Sequence, residues 1–166
     1  MQPLQDKALR DARPIRRLLE GAVIKEIVSV TKRYRFSAGH RLYIKGLSDE
    51  ENLKIFDTCS NPNGHGHDYY LDVKVSGGID PESGMVINPQ ELDRIVGEAL
   101  GELDYKRLDV EVPYFTEHQP TGENIAQYLW KGLRSRLREK LVHLGLSETS
   151  SSYFEFFDEE GYPYER

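Results

Sequence analysis

The sequence holds one cysteine, and it stands just upstream of a paired histidine motif in "CSNPNGHGHDYY", which runs from Cys59 to Tyr70. His65 and His67 are two residues apart. In an extended backbone such residues point to the same side, so both imidazoles can converge on one point. Gly64 and Gly66 leave that approach uncrowded. His40, closing the segment "FSAGH", can supply a third ring. Three imidazoles are the ligand pattern of a catalytic zinc site, which keeps a fourth position open for water or substrate. Magnesium and calcium prefer oxygen ligands and fit this set poorly. An isolated His-x-His is met about as often as an ordinary polar loop pair; what strengthens this one is that three of the five histidines lie beside strand ends. Cys59 has three readings. It can be a fourth ligand that closes the site, a small buried hydrophobe, or a base beside the metal whose thiolate is favoured by positive charge. Spacing alone does not choose among them.

These residues must be held by regular elements, and the hydrophobic pattern predicts which. Residues 22–36, "AVIKEIVSVTKRYRF", are rich in β-formers and predict a long strand. Residues 67–76 alternate, with Tyr69, Leu71, Val73 and Val75 on one face, and predict a second. "NPQELDRIVGEALGEL" predicts a helix with Asn88 as N-cap, Pro89 at the first position, and Leu92, Ile95, Val96, Ala99, Leu100 and Leu103 on its apolar face. A second helix starts at Thr121, with a stripe of Ile125, Tyr128, Leu129, Leu133, Leu137 and Leu141 bordered by Trp130. "LVHLGLSE" and "SSYFEFFD" then predict a hairpin. The order strand, strand, helix, helix, strand, strand places the protein in the α+β class: a four-stranded antiparallel sheet with two helices on one face, ββααββ. The connection between the first two strands is roughly thirty residues without predicted structure, a length that usually marks a functional loop.

Composition narrows the function. At 166 residues the chain accommodates one domain, here 22–166, preceded by an extension over 1–21. A formal net charge of −6 without a long basic run argues against nucleic-acid binding, which draws on phosphate neutralisation. No span approaches membrane length, and the N-terminal stretch lacks the apolar core of a signal peptide. A single cysteine forms no internal disulfide, so cytoplasmic residence is the expectation.

Several separate motifs then fall in one order: "FSAGHRL", "ENLKIF", "CSNPNGHGHDYYLDVKVSGGIDPESGMVINPQEL", "LDYKRLDVEVPYF", "TGENIAQYLW" and "ETSSSYFEF". Over about residues 30 to 157 the chain resembles 6-pyruvoyltetrahydropterin synthase and its relative 6-carboxytetrahydropterin synthase. The interval from Cys59 to His65 is similar to that of the pyruvoyl-forming branch. The resemblance implies the T-fold, with trimeric barrels stacked into a homo-hexamer. It implies zinc on His40, His65 and His67, Cys59 as catalytic base, and a substrate-binding set of Glu148, Glu123 and Thr121. Glu148 is the implied pterin anchor, since one carboxylate can accept two adjacent N–H donors from the pterin edge. Thr121 and Glu123 are equally explained as a helix cap and a first-turn acid favoured by the helix dipole. The implied reaction is elimination of triphosphate from 7,8-dihydroneopterin triphosphate, giving a 6-pyruvoyl or 6-carboxy product for tetrahydrobiopterin or queuosine biosynthesis. Lys32, Arg33, Arg35, Arg41 and Lys45 are candidate triphosphate contacts, although a charge run is usually a solvated surface.

One position departs from the family pattern. Where the family has an Asp-His pair that serves the cysteine of a neighbouring subunit, this sequence reads Asp104-Tyr105. A phenol titrates about three units above imidazole and is a poor shuttle near neutrality. Either Tyr105 acts as the acid, or His118 supplies the imidazole, or the protein runs a variant reaction that cleaves the substrate's side chain. A non-catalytic pterin- or zinc-binding homologue is the competing reading; retention of Cys59 and Asp104 favours the enzyme.

Overall fold

The computed structural model describes residues 26–157. The extension at 1–21 and the first part of the expected strand, 22–25, lie outside the described residues. Strand β1 (Val28–His40) runs beyond its expected end as far as His40, and β2 (His65–Gly77) starts at the His-Gly-His itself. Both strands are therefore long enough to bring the motif residues into the sheet. β4 (Leu141–Ser147) and β5 (Tyr153–Phe157) form the expected hairpin. The sheet order is β3-β1-β2-β4-β5, with β3 a two-residue strand, Lys106–Arg107, set parallel to the end of β1. The expected four strands are thus present and antiparallel, and a short parallel edge is added that two residues could not announce by periodicity.

The two long helices are α2 (Pro89–Gly101) and α5 (Gly122–Leu137). Asn88 accepts from Gln90 N at the start of α2 and Thr121 accepts from Asn124 N at the start of α5, so both expected caps form. Their apolar stripes lie on the alternating face of β2, where Tyr69, Leu71, Val73 and Val75 are fully buried with Ile125, Leu129 and Leu133. Each such leucine removed from water contributes roughly 1.5–3 kcal/mol. Leu141, at the end of the expected helical stripe, instead begins β4 and is buried there.

The connection between β1 and β2 is not structureless. Helix α1 (Asp49–Phe56) and a 3-10 turn (Asp57–Ser60) occupy it. A full capping box starts α1: Ser48 accepts from Glu51 N while the Glu51 carboxylate accepts from Ser48 N. The "SDEE" signature encodes that start, but α1 has no continuous apolar stripe, so hydrophobic periodicity does not reveal the helix. Its buried member is polar. Asn52 accepts from Ile44 N at 2.7 Å, and its amide reaches the carbonyls of Ile44, Leu47 and Ser48. Asn52 thus replaces a hydrophobic contact as the pin of this loop. Two very short helices, α3 (Leu108–Glu111) and α4 (Pro113–Glu117), join β3 to α5.

Replacing Asn52 by Ala removes the buried amide that accepts from Ile44 N and donates to the Leu47 carbonyl, so the loop loses its pin. The expected cost is about 2–3 kcal/mol, read by urea unfolding. A loss of only a few tenths would show that water takes over the amide's role.

Candidate active site

The pairing of β1 with β2 builds the site. Its register sets His40 opposite His65, Ala38 opposite His67 and Phe36 opposite Tyr69. Alternate residues share a face, so the three imidazoles collect at one end of the helix-covered side, beyond the apolar core. Their ring centroids are 4.8, 5.1 and 4.7 Å apart, and His40 Nε2 lies 2.9 Å from His65 Nε2. His40 is almost wholly buried, and its Nδ1 donates to the Pro120 carbonyl at 2.8 Å. A carbonyl can only accept, so this bond leaves the lone pair of the neutral ring on Nε2, facing the cluster. Burial pushes the pKa of both His40 and His67 below the ordinary imidazole value. His67 Nε2 is buried and has no hydrogen-bond partner. Neutral rings with inward lone pairs, one of them orphaned, are the donor set that zinc and its first-row neighbours take. The residues fit such an ion.

Two further groups face the cluster. Cys59 is half-buried, and its sulfur, His40 and His65 form one set of potential ligand atoms mutually within 4.8 Å; His40, His67 and Glu148 form another. Leu42 N donates to the Cys59 carbonyl at 2.8 Å, tying the cysteine to the end of β1. Burial pushes the thiol pKa up, and the Glu148 and Asp57 carboxylates add to the effect. The surrounding protein groups therefore disfavour the thiolate. Glu148, in the β4–β5 turn, places Oε1 at 3.8 Å from His40 Nε2 and 3.9 Å from His67 Nε2, and accepts from the Tyr69 hydroxyl at 3.1 Å.

A residue that sequence patterning does not single out braces the turn before His65. Gly64 has φ +68, and a Cβ there would meet the Arg107 guanidinium carbon at 2.7 Å and the His40 carbonyl at 2.8 Å. Arg107 lies in that space. It donates to both oxygens of Asp109 and to the Asn63 carbonyl, while Asp109 also accepts from Arg41 N. The clamp thus joins the end of β1 to the entry of β2. The available signal is an Arg two residues before an Asp, far in sequence from a glycine-rich turn, and such a pattern is too common to be read without coordinates.

The remaining expected site residues lie elsewhere. Asp104 Oδ1 accepts from Ser37 N at 2.8 Å, and Tyr105 N donates to the Ser37 carbonyl. This anchorage uses the backbone of Ser37, at the edge of β1 that β3 extends. Tyr105 has φ +58 and is 86% exposed, beside a cleft of about 600 Å³ that Ser37, Gly66, His67, Asp68 and Lys106 also line. No hydrogen bond or ring contact joins Asp104 or Tyr105 to Cys59 among the described residues. His118 stacks on Tyr114 at 4.2 Å and bonds the Tyr114 carbonyl through Nδ1. Thr121 caps α5, and Glu123 is exposed in the first turn of that helix, three residues after Pro120.

Four of the five candidate triphosphate cations already hold carboxylates. Lys32 pairs with Asp93, Arg33 with Asp72, Arg35 with Asp68 and Arg41 with Asp49. They are not a free cationic cluster around His40. Among the described residues no helix is long and apolar enough to cross a membrane.

Comparison with known proteins matches residues 29–159 to the family model for 6-pyruvoyl tetrahydropterin synthase. Over 109 residues the chain is 54% identical to 6-pyruvoyl tetrahydrobiopterin synthase of Pongo abelii and 53% to that of Homo sapiens, covering 65% of this chain and 75% of each relative. The structure of Caenorhabditis elegans 6-pyruvoyl tetrahydropterin synthase superposes with a TM-score of 0.75 at 36% identity, over 80% of this chain and 96% of that one.

Two results test the metal-ready arrangement. Arg107→Ala should lower the affinity for divalent cobalt about tenfold, measured by chelator competition; an unchanged affinity would show that the clamp does not position His65. Because burial lowers His40 and His67, those two rings in metal-free protein should take up protons only at pH values below the ordinary imidazole value of about 6.5, read by NMR titration of their ring signals; uptake at or above that value would contradict the shift.

Proposed function

The chain belongs to the 6-pyruvoyl tetrahydropterin synthase family of pterin-forming lyases, and on that premise we propose that it eliminates triphosphate from 7,8-dihydroneopterin triphosphate at a zinc centre formed by His40, His65 and His67. One observation carries the metal assignment: a buried His67 Nε2 without a partner, facing two further imidazoles. Three imidazoles suit zinc, and the exit of a phosphate leaving group suits a site built for proton transfer rather than redox chemistry.

When bound, the ion supplies Lewis-acid polarisation of a substrate hydroxyl and a positive charge opposing the carboxylates that act on Cys59. Cys59 then serves as the base. Its sulfur lies within 4.8 Å of the His40 and His65 ligand nitrogens, and the half-buried position limits competition from water. Glu148 stands at the same cluster. The donor edge of a pterin lies across two fused rings from its side chain, so a carboxylate this close to His40 and His67 is suited to the side-chain end. We therefore assign Glu148 to the substrate's side chain and the ring-edge acceptor role to Glu123, which follows the Pro120 carbonyl that orients His40. Thr121 contributes by fixing the start of that helix.

Asp104 and Tyr105 belong in this reading to the site of a neighbouring copy. Tyr105 projects outward from a positive-φ position that Asp104 anchors, and among the described residues no strand pairs with the outer edge of β5 or, beyond Ala38 and Gly39, with the β3 side of β1. Such edges invite pairing with another copy, which supports association of subunits in the hexamer that the resemblance implies. Tyr105 acts there as a proton donor in place of imidazole. His118 is committed to Tyr114 and takes no part. The pyruvoyl product is preferred because the relatives reported above carry that name.

Incubation of zinc-loaded protein with 7,8-dihydroneopterin triphosphate should release triphosphate and yield a product of the 6-pyruvoyl mass. Cys59→Ala should abolish release while retaining the metal, and Tyr105→Phe should slow it about a hundredfold. Full activity in Tyr105→Phe would remove the tyrosine from proton transfer, and pterin binding without release in the unaltered protein would make it a binding homologue.

A further inference from the structure

Tyr69 is buried deeper than an ordinary core tyrosine needs to be, and its hydroxyl has one use. The ring is fully buried, stacked on Phe36 at 4.9 Å with an interplanar angle of 11°, and set edge-on to His67 at 5.6 Å. Packing on both sides leaves the phenol no freedom to swing. Its oxygen donates to Glu148 Oε1 at 3.1 Å. The backbone of Glu148 is held separately, by donation from its N–H to the Ser152 carbonyl across the β4–β5 turn.

The groups around that carboxylate make this bond decisive. His40 Nε2 and His67 Nε2 approach Oε1 at 3.8 and 3.9 Å, outside hydrogen-bond distance, and a ring nitrogen that binds a metal has no proton to donate. Cys59 is the other polar neighbour, and no hydrogen bond joins it to Glu148 among the described residues. Among the described residues the Tyr69 hydroxyl is therefore the hydrogen-bond donor to the Glu148 carboxylate. A carboxylate at the end of a flexible stem, near a dry cluster, does not otherwise hold one rotamer, because water draws it outward.

We propose that Tyr69 is a positioning residue that acts through Glu148, fixing its carboxylate against the histidine cluster so that it meets the substrate's side chain in one orientation. This rests on the proposed reading in which Glu148 contacts substrate. The ring itself supplies core packing that phenylalanine would preserve, so the hydroxyl can be removed alone.

The test combines Tyr69→Phe, Glu148→Gln and the double variant, each zinc-loaded. Tyr69→Phe should keep one metal per chain and its cooperative unfolding, yet lose about tenfold in kcat/KM for the pterin triphosphate, the scale of one hydrogen bond to a charged group. In the Glu148→Gln background the same change should cost less than about twofold, since the two residues share one function. Equal losses in both backgrounds, or loss of metal from Tyr69→Phe, would overturn the proposal by showing an effect on packing or on His67. A substrate-free readout separates this from the function itself. Difference infrared spectra of unaltered protein minus Glu148→Gln isolate the Glu148 carboxylate bands, and these should shift in Tyr69→Phe. An unshifted band overturns the positioning role, whereas shifted bands in a protein that does not turn over the pterin overturn only the proposed reaction.

Discussion

Antiparallel register between β1 and β2 is the constraint from which the site follows. His40 faces His65 across the pair, and His67 stands one alternation further on the same face. A slip of one residue would send one strand's imidazoles to the opposite face and disperse the cluster. The register is secured by burial: Phe36 with Tyr69, and beyond them Leu71, Val73 and Val75, must face α2 and α5 together. The same alternation that fills the core thus aims the histidines. The geometry of the histidine cluster is a by-product of hydrophobic patterning extended past the end of the core.

Around that frame, polar groups serve orientation. The Pro120 carbonyl sets the tautomer of His40, Arg107 and Asp109 hold the turn that delivers His65, and Asn52 pins the segment leading to Cys59. None of these touches the centre of the cluster. Arg107 with Asp109, and Asn52, act by bonding backbone groups of the irregular connection between β1 and β2. A long connection becomes an ordered wall of the site because its hydrogen bonds are closed internally.

The electrostatics of the protein groups alone are unbalanced. Burial keeps His40 and His67 neutral, while Glu148 and Asp57 set negative charge beside a thiol whose ionisation they oppose. In the proposed reading, a cation placed among these groups would offset the carboxylate charge beside the thiol and favour its ionisation. On the opposite face, the arginines that the sequence offers as positive charge are already paired with Asp68 and Asp72. Charge counting along the sequence overstates what is free.

Much of the site is legible without coordinates. Period-two alternation through Tyr69 and Val75, the caps at Asn88 and Thr121, and the His-x-His spacing all report local geometry, and local geometry is what a linear sequence encodes most directly. The capping box at Ser48 is equally local but escapes a search by hydrophobic period, because its helix lacks an apolar stripe. What only the tertiary structure decided is which distant residues share a point in space. Nothing in sequence spacing sets Glu148 beside His40 rather than at the far edge of a ligand, joins Tyr69 to Glu148, packs Arg107 over Gly64, or ties Asp104 and Tyr105 to the edge of β1. Those relations arise when the sheet closes its register and brings together segments separated by up to 108 residues, from His40 to Glu148, and the order of residues has no term for that closure.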